Sequence, residues 1–373
     1  MDGKRVKAIA IIPGTPGSHV VDRPEPSLTA PDEIKVSVIR VGICGTDREE
    51  VSGGRADPPA GQKELVIGHE MFSQVVSVGS AVTRVKPGDY AVFTVRRGCG
   101  ACPSCLMNRS DMCQSGNYRE RGIRGLDGYQ TEFVVDREQY IVKVPAELEP
   151  IGVLMEPLSV VEKAIDEALN VQILRCPEAA TTPDWLHGRA CMVAGLGPVG
   201  LLAAMVLRLR GAEVYGLDVV AADTARPKWL GVIGGHYIDG RAIPADQVEK
   251  KICPMDLIVD ASGIAALEFN LLDALAVNGI YALTGIPGGN RPLQIPGAEL
   301  IRQLVLDNQV MLGSVNAARG HFQMAADHLA EAHLRWGDHI DTLITHRYSP
   351  DQLTGLADQA HDPDAIKEVI EWK

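Results

Sequence analysis

The 373-residue sequence lacks an excess of positive charge: 36 Lys and Arg stand against 48 Asp and Glu, a formal net charge of -12. Such a chain repels phosphate backbones and anionic lipid, which argues against nucleic acid or membrane surfaces as partners and toward small-molecule work. It also lacks a long uninterrupted apolar run. The longest uncharged stretch, Ala190 to Leu207, approaches the length of a membrane span, but GLGPVG in its middle would interrupt a helix there. A buried strand, a turn and a buried helix account for it better. The N-terminal MDGKRVKAIAII has no adequate apolar core or small-residue cleavage site for a signal peptide, so a cytoplasmic location is expected. Internal repeats and low-complexity segments are absent as well.

What is present suits a globular enzyme of two domains: 46% apolar residues, 23% charged residues and length enough for two cores. The first third (KAIAII, EIKVSVIRVGI, FSQVVSVGS, YAVFTV) alternates or runs apolar between turns such as KPGD, which predicts a β-rich domain. From Val153 the apolar spacing becomes helical, and a loop marked by Pro177 and Pro183 follows. From Arg189 strands and helices alternate, which predicts a parallel, doubly wound sheet. HFQMAADHLAEAHL is the clearest helix of the tail, which is expected to fold back onto the first domain. The expected domains are 1–187, 188–313 and a C-terminal segment 314–373 that returns to the first.

GLGPVG, with Gly195, Gly197, Pro198, Val199 and Gly200, lies directly after the strand-like ACMVA and directly before a helix ending at Gly211. In that context the glycines permit a tight turn and close approach to a pyrophosphate, and the helix N-terminus offers free N–H groups to the anion. The bland alternative is a Gly-rich turn of another α/β fold. Asp218, ending EVYGLD, can accept the ribose hydroxyls of an adenosine, or can merely cap the turn that follows.

Of eight cysteines, four fall within fifteen residues, at 99, 102, 105 and 113. In a reducing compartment a C-x2-C-x2-C-x7-C cluster signals metal before disulfides. Four thiolates close a tetrahedral shell, so a zinc held there would be structural; the rival is an iron–sulfur cluster, against which the wide last spacing and the lack of a following proline count. A second, dispersed set is Cys44 in GICGTD, His69 and Glu70 in IGHE, and Glu156 in MEP. Thiolate, imidazole and carboxylate leave room for a substrate oxygen, as a catalytic zinc requires. Taken singly, Cys44 reads as a small core residue, His69 as a satisfied histidine and Glu156 as an acid at a helix start.

In type and order these motifs resemble the zinc-dependent medium-chain alcohol and polyol dehydrogenases, and the likeness spans nearly the whole chain. RRGCGxCxxC, the ERGI segment, LDGYQTEF, IGVLMEPLSVVEKAI and GSVNA are similar to the glucose 1-dehydrogenase branch typified in archaea. The resemblance implies a GroES-like catalytic domain, a Rossmann domain and a cleft holding zinc and substrate. It implies that Cys44, His69 and Glu156 hold a catalytic zinc with Glu70 at the same site, that Cys99, Cys102, Cys105 and Cys113 hold a second zinc, and that Asp47 supports a ligand. Thr46 is expected to relay the substrate proton. Thr46, Glu70, Glu120, Glu156 and Asn316 are expected to meet the substrate. Val219, Ser262, Thr284, Val315 and Asn316 are expected to join the glycine motif and Asp218 on the cofactor.

The implied reaction is oxidation of an aldose at the anomeric hydroxyl to a lactone with hydride transfer to NAD, in a homodimer or homotetramer. A polyol or secondary-alcohol dehydrogenase is the alternative within the superfamily; a non-catalytic NAD-binding or zinc-ribbon protein is a third. Val95, Val160 and Leu306 stand where the branch places further polar sugar contacts. After Asp218 the chain has Val219 and Val220 rather than a basic pair, which favours NAD over NADP, although Arg226 or Lys228 could soften that preference.

Overall fold

The computed structural model describes residues 4–288, 292–352, 362 and 364–373 and divides into two compact units. The first comprises residues 1–159 and 316–373, the second residues 160–315. The long helix Met155–Arg175 begins in one and continues into the other, so the division falls inside the helix, whereas the sequence places a boundary after the loop that follows it. Among the described residues, no helix is long and apolar enough to cross a membrane.

The first unit is built on a seven-stranded sheet. Its central strand, Glu33–Ile43, carries the alternation read in EIKVSVIRVGI: Ile34, Val36 and Val38 turn inward with Val41 and pack against Met71, Val75, Phe93, Tyr129 and Ile141. Each fully buried side chain of this size contributes roughly 1.5–3 kcal/mol over leaving it exposed. On one side of Glu33–Ile43 lies Glu70–Val78, in antiparallel register with Gly42 opposite Glu70. On the other side lies Lys367–Glu371, also antiparallel, with Gly42 opposite Val369 and Ile43 opposite Glu368. Residues far apart in the sequence are thereby gathered at one end of the sheet.

The second unit is a six-stranded, all-parallel sheet. Its order is His236–Asp239, Glu213–Asp218, Ala190–Ala194, Met255–Asp260, Leu275–Leu283, Val310–Gly313. The reversal of direction beside the first strand, Ala190–Ala194, is the topological switch point of a doubly wound fold. Helix Pro198–Leu209 starts on Gly197 as its N-cap with proline in its first turn, and Gly211, at φ 78°, follows its end. Gly195 has φ +84°, and a Cβ there would come within 3.0 Å of the Ser262 backbone, so the turn admits only glycine without strain. The uncharged stretch Ala190–Leu207 is thus strand, turn and helix.

Candidate active site

The first cluster assembles at the end of the seven-stranded sheet. Cys44 is the N-cap of helix Gly45–Val51: its Sγ accepts from the Thr46 N–H at 3.2 Å, and its own N–H donates to Asp47 Oδ2 at 2.8 Å. This local bond pattern fixes the thiol at the mouth of the helix. Gly68, at φ +91°, turns the chain so that His69 faces Cys44, with Nε2 3.1 Å from Sγ. His69 Nδ1 points to Asp47 Oδ1 at 3.7 Å. Burial works against a charged His69 ring, yet the facing Cys44 and Asp47 hold its pKa well above the ordinary histidine value.

Glu70 and Glu156 complete the set: ligand atoms of His69, Glu70 and Glu156 lie within 4.8 Å of one another, as do those of Cys44, Asp47 and His69. Burial pushes the Glu156 carboxyl up to about 7 against the pull of His69, and raises Asp47 as well. His69 Nδ1 and Asp47 Oδ1 are buried without a hydrogen-bond partner. A thiol, an imidazole and carboxyl groups converging around His69, with orphaned polar atoms among them, fit a divalent cation, for which such groups give up their protons.

Three residues of this region were assigned no role in the sequence, although the third of them stands within RRGCGxCxxC. Glu50, fully buried one turn after Asp47, has its pKa pushed up to about 9 by burial and then by Asp47. Lys367, only 1% exposed, pairs through Nζ with Glu70 Oε2 and donates to the Ile43 carbonyl at 2.9 Å. Arg96 is the third. A buried carboxylate must find a cation, and that rule is the one signal that could have prompted a search for Lys367 and Arg96.

Arg96 organises the second cluster. Its Nε and Nη2 donate to Glu120 Oε1 at 3.1 and 2.9 Å, and Asn316 Nδ2 donates to the same oxygen at 2.8 Å. Asn316 adopts the left-handed region, φ 63°, which asparagine tolerates. Glu120 and Asn316, 196 residues apart, thus meet directly. The Glu120 strand, Arg119–Arg121, runs into Gly122, where a Cβ would lie 2.4 Å from the Gly68 carbonyl, so Glu120 and His69 belong to adjoining segments. Val95 is buried, with its carbonyl accepting from Arg121, and Val160 is partly buried. Leu306 is 69% exposed on the second unit.

The four cysteines at 99, 102, 105 and 113 bring their sulfurs within 4.8 Å of one another, and Cys99 and Cys105 stand 4.0 Å apart. A disulfide would require about 2.05 Å. The edge of a tetrahedron around a zinc with Zn–S of about 2.3 Å is close to 3.8 Å. The Ser115 hydroxyl and the Ala101 and Cys102 N–H groups lower the Cys99 pKa to about 6, and Arg96 Nη1 anchors the same lobe through the Asp111 carbonyl at 2.6 Å.

In the second unit, Asp218 ends its strand beside the glycine turn. Its Oδ2 accepts from the Leu196 N–H at 2.8 Å and its Oδ1 from the Val219 N–H at 2.6 Å, and Arg226 Nη1 lies 4.0 Å away. Ser262 and Thr284 are both held by Asp260, a fully buried strand-end residue: Ser262 Oγ donates to Oδ1 at 3.0 Å and Thr284 Oγ1 to the Asp260 carbonyl at 2.6 Å. The Val315 carbonyl accepts from Lys163 Nζ at 2.9 Å. These positions lie at the carboxyl ends of the parallel strands, where ligands of open α/β sheets bind.

Residues 149–372 match the protein family described as Glucose dehydrogenase C-terminus, and residues 30–146 match the Alcohol dehydrogenase GroES-like domain. The glucose 1-dehydrogenase of Methanocella arvoryzae is 34% identical over 98% of this chain and 99% of its own length. Glucose 1-dehydrogenase 1 of Caldivirga maquilingensis is 37% identical, again over 98% of this chain and 99% of its own length. The solved structure of Haloferax mediterranei glucose dehydrogenase in complex with NADP, Zn and gluconolactone aligns with a TM-score of 0.87 at 30% identity, covering 98% of this chain and 99% of that one.

Proposed function

Because the chain belongs to the glucose dehydrogenase family of the zinc-dependent medium-chain dehydrogenases, we propose that it oxidises an aldose at its anomeric hydroxyl to the lactone, passing hydride to a nicotinamide dinucleotide. One observation supports the reading: His69, within ligand reach of both Cys44 and Glu156, follows Gly68, which abuts Gly122 beside the Glu120 strand, so the donor set and the Glu120–Asn316 pair lie on neighbouring segments. When bound there, zinc supplies the Lewis acidity that lowers the pKa of a substrate hydroxyl. Cys44, His69 and Glu156 are the residues that would hold it. Thr46, beside Cys44 on the same helix turn, is the group assigned to pass the hydroxyl proton outward. Glu120 and Asn316 accept and donate to further hydroxyls and so orient the ring. The cysteine lobe holds a second, structural zinc in this reading, and the unpaired outer side of strand Val310–Gly313 among the described residues supports a homodimer or homotetramer.

Buried Val95 favours a second reading, a substrate with fewer hydroxyls to satisfy, such as another polyol. Rates against a panel of aldoses, polyols and secondary alcohols separate the two. Glu120→Gln sharpens the test. With Arg96 and Asn316 both directed at Glu120 Oε1, the substitution is expected to raise KM for an aldose at least tenfold more than KM for a simple alcohol. Equal effects on both substrates would make Glu120 a purely structural partner of Arg96.

NAD is the preferred cofactor in this reading, supported by Asp218, whose carboxylate would face the 2′-phosphate of NADP with no cation at Val219 or Val220. Arg226 at 4.0 Å tempers that repulsion, so the expected preference in kcat/KM is about tenfold, or ~1.4 kcal/mol, rather than the ~10² that an unaccompanied aspartate would give. Initial rates with each cofactor for the wild type and for Asp218→Ala combined with Val219→Arg decide the matter. Equal use of both cofactors by the wild type, or a ratio unmoved by the double change, reduces Asp218 to a turn residue.

A further inference from the structure

The glycine turn of the parallel sheet sits between two acids. On the side of strand Glu213–Asp218, Asp218 Oδ2 holds the Leu196 N–H. On the other side the register sets Asp260 opposite Ala194, and the Ala261 N–H donates to the Ala194 carbonyl at 2.8 Å. The turn after Asp260 therefore lies against the glycine turn, which is why a Cβ at Gly195 would meet the Ser262 backbone at 3.0 Å.

Asp260 ties two such turns together. Its Oδ1 accepts from the Ser262 N–H at 2.8 Å and the Ser262 hydroxyl at 3.0 Å, and its Oδ2 from the Tyr281 hydroxyl at 3.3 Å. Its carbonyl accepts from the Thr284 N–H, the Gly285 N–H and the Thr284 hydroxyl at 2.9, 3.1 and 2.6 Å. The turn after its own strand is thus pressed onto the turn after strand Leu275–Leu283, so closely that a Cβ at Gly285 would lie 2.3 Å from the Gly263 nitrogen. Asp260 is fully buried, and among the described residues no lysine or arginine pairs with it. Hydrogen-bond donors stand in for a cation. Burial pushes its pKa up against the pull of Ser262. The desolvation cost of such a group is offset by donors that lose their own freedom to move.

A dinucleotide lies across the point where the strand order reverses, one mononucleotide half on each side of the first strand. With the adenosine ribose at Asp218, the nicotinamide half falls to the side of Asp260. We infer that Asp260 is a positioning residue for that half: it fixes the turns at residues 261–263 and 284–285 against which the nicotinamide end rests, and leaves the adenosine end to Asp218. The inference rests on the proposed function in taking the second unit as the dinucleotide site.

The test sets the affinity of the purified full-length protein for NADH, read from nicotinamide fluorescence, beside its affinity for AMP, read by calorimetry. Asp260→Ala strips the acceptor from Ser262 and Tyr281 and is expected to weaken NADH about thirtyfold while AMP stays within about twofold. Asp260→Asn keeps a carbonyl oxygen for the Ser262 N–H and is expected to recover most of that loss, to within about fivefold of the wild type. A merely structural residue would lower Tm and weaken both ligands together. Asp260→Ala with NADH affinity within about twofold of the wild type, or with NADH and AMP weakened in equal measure, overturns the proposal. Should Asp260→Ala fail to fold, Asp260→Asn decides: weaker NADH with AMP unmoved supports the assignment, and an equal effect on both, or none, overturns it. Wild-type protein that binds neither NADH nor AMP would instead remove the underlying dinucleotide reading.

Discussion

Replacing Cys44 by serine is expected to lower kcat/KM by about three orders of magnitude while the zinc content falls from two ions per chain to one. Serine keeps an oxygen at the N-cap, so the helix Gly45–Val51 retains an acceptor for the Thr46 N–H, and stability should change by no more than about 1 kcal/mol. Serine does not supply a thiolate. His69 loses the partner that faces its Nε2 at 3.1 Å, and the remaining donors no longer make a site of mixed thiolate, imidazole and carboxylate character. Loss of a Lewis acid removes several kcal/mol of stabilisation; about 4 kcal/mol corresponds to ~10³ in rate. The cysteine lobe shares no residue with this cluster, so its ion should persist. Full activity in the variant, or a wild type containing a single zinc, would remove the two-metal assignment.

Asp136→Asn is expected to destabilise the first unit by about 3–5 kcal/mol at neutral pH. One oxygen of Asp136, Oδ2, accepts from Arg97 Nε and Nη2 at 3.2 and 2.7 Å and from Arg121 Nε and Nη2 at 3.1 and 2.7 Å. Arg97 is 4% exposed and stacks on Tyr140 with its guanidinium carbon 3.9 Å from the ring centre. A neutral amide would leave the buried Arg97 and the half-buried Arg121 guanidinium groups sharing one weak acceptor. Burial alone would raise the Asp136 pKa, but the Arg121 and Arg97 charges hold it well below the usual carboxylate range. A depressed folded-state pKa stabilises the fold fully above the unfolded value of about 3.9 and loses that contribution as pH falls below it. The gap in urea stability between wild type and Asp136→Asn should therefore be widest at neutral pH and narrow below about pH 4. A gap that is absent at pH 7, or that widens in acid, would show that the arginines are neutralised by other groups.

How far the sequence could be read follows from how local each feature is. The GLGPVG turn, the cysteine quartet and the strand–helix alternation are encoded within a few dozen residues, so periodicity and spacing expose them. Glu120 and Asn316 were legible only through family resemblance, since nothing in ERGI or GSVNA signals that their side chains share an oxygen. Lys367 was not legible at all. In the sequence it is one lysine of the mixed stretch AIKEVIEW, and only the pairing of Lys367–Glu371 with Glu33–Ile43 reveals its place. Arg96 and Asp260 escaped for the same reason: their roles are hydrogen bonds across sheet register and strand ends. The missed residues are buried charges that hold functional groups in place, and what makes them necessary is a tertiary desolvation cost that no local pattern records.

The interrupted path of the chain through the first unit bears on how the protein is made. Lys367 and the Ile43 carbonyl it bonds are separated by 324 residues, whereas residues 160–315 form a contiguous unit whose own two ends meet where Lys163 Nζ bonds the Val315 carbonyl. Closing that inner unit first roughly halves the chain that must be looped to bring strand Lys367–Glu371 home, a saving of only about 0.6 kcal/mol. Its effect is on order rather than on stability. The parallel sheet can form while synthesis continues, but the sheet bearing Cys44 and His69 waits for a strand that the ribosome delivers more than 320 residues after Ile43. A nascent chain can therefore display a finished dinucleotide fold well before the Cys44–His69 cluster has the lysine that pairs with Glu70.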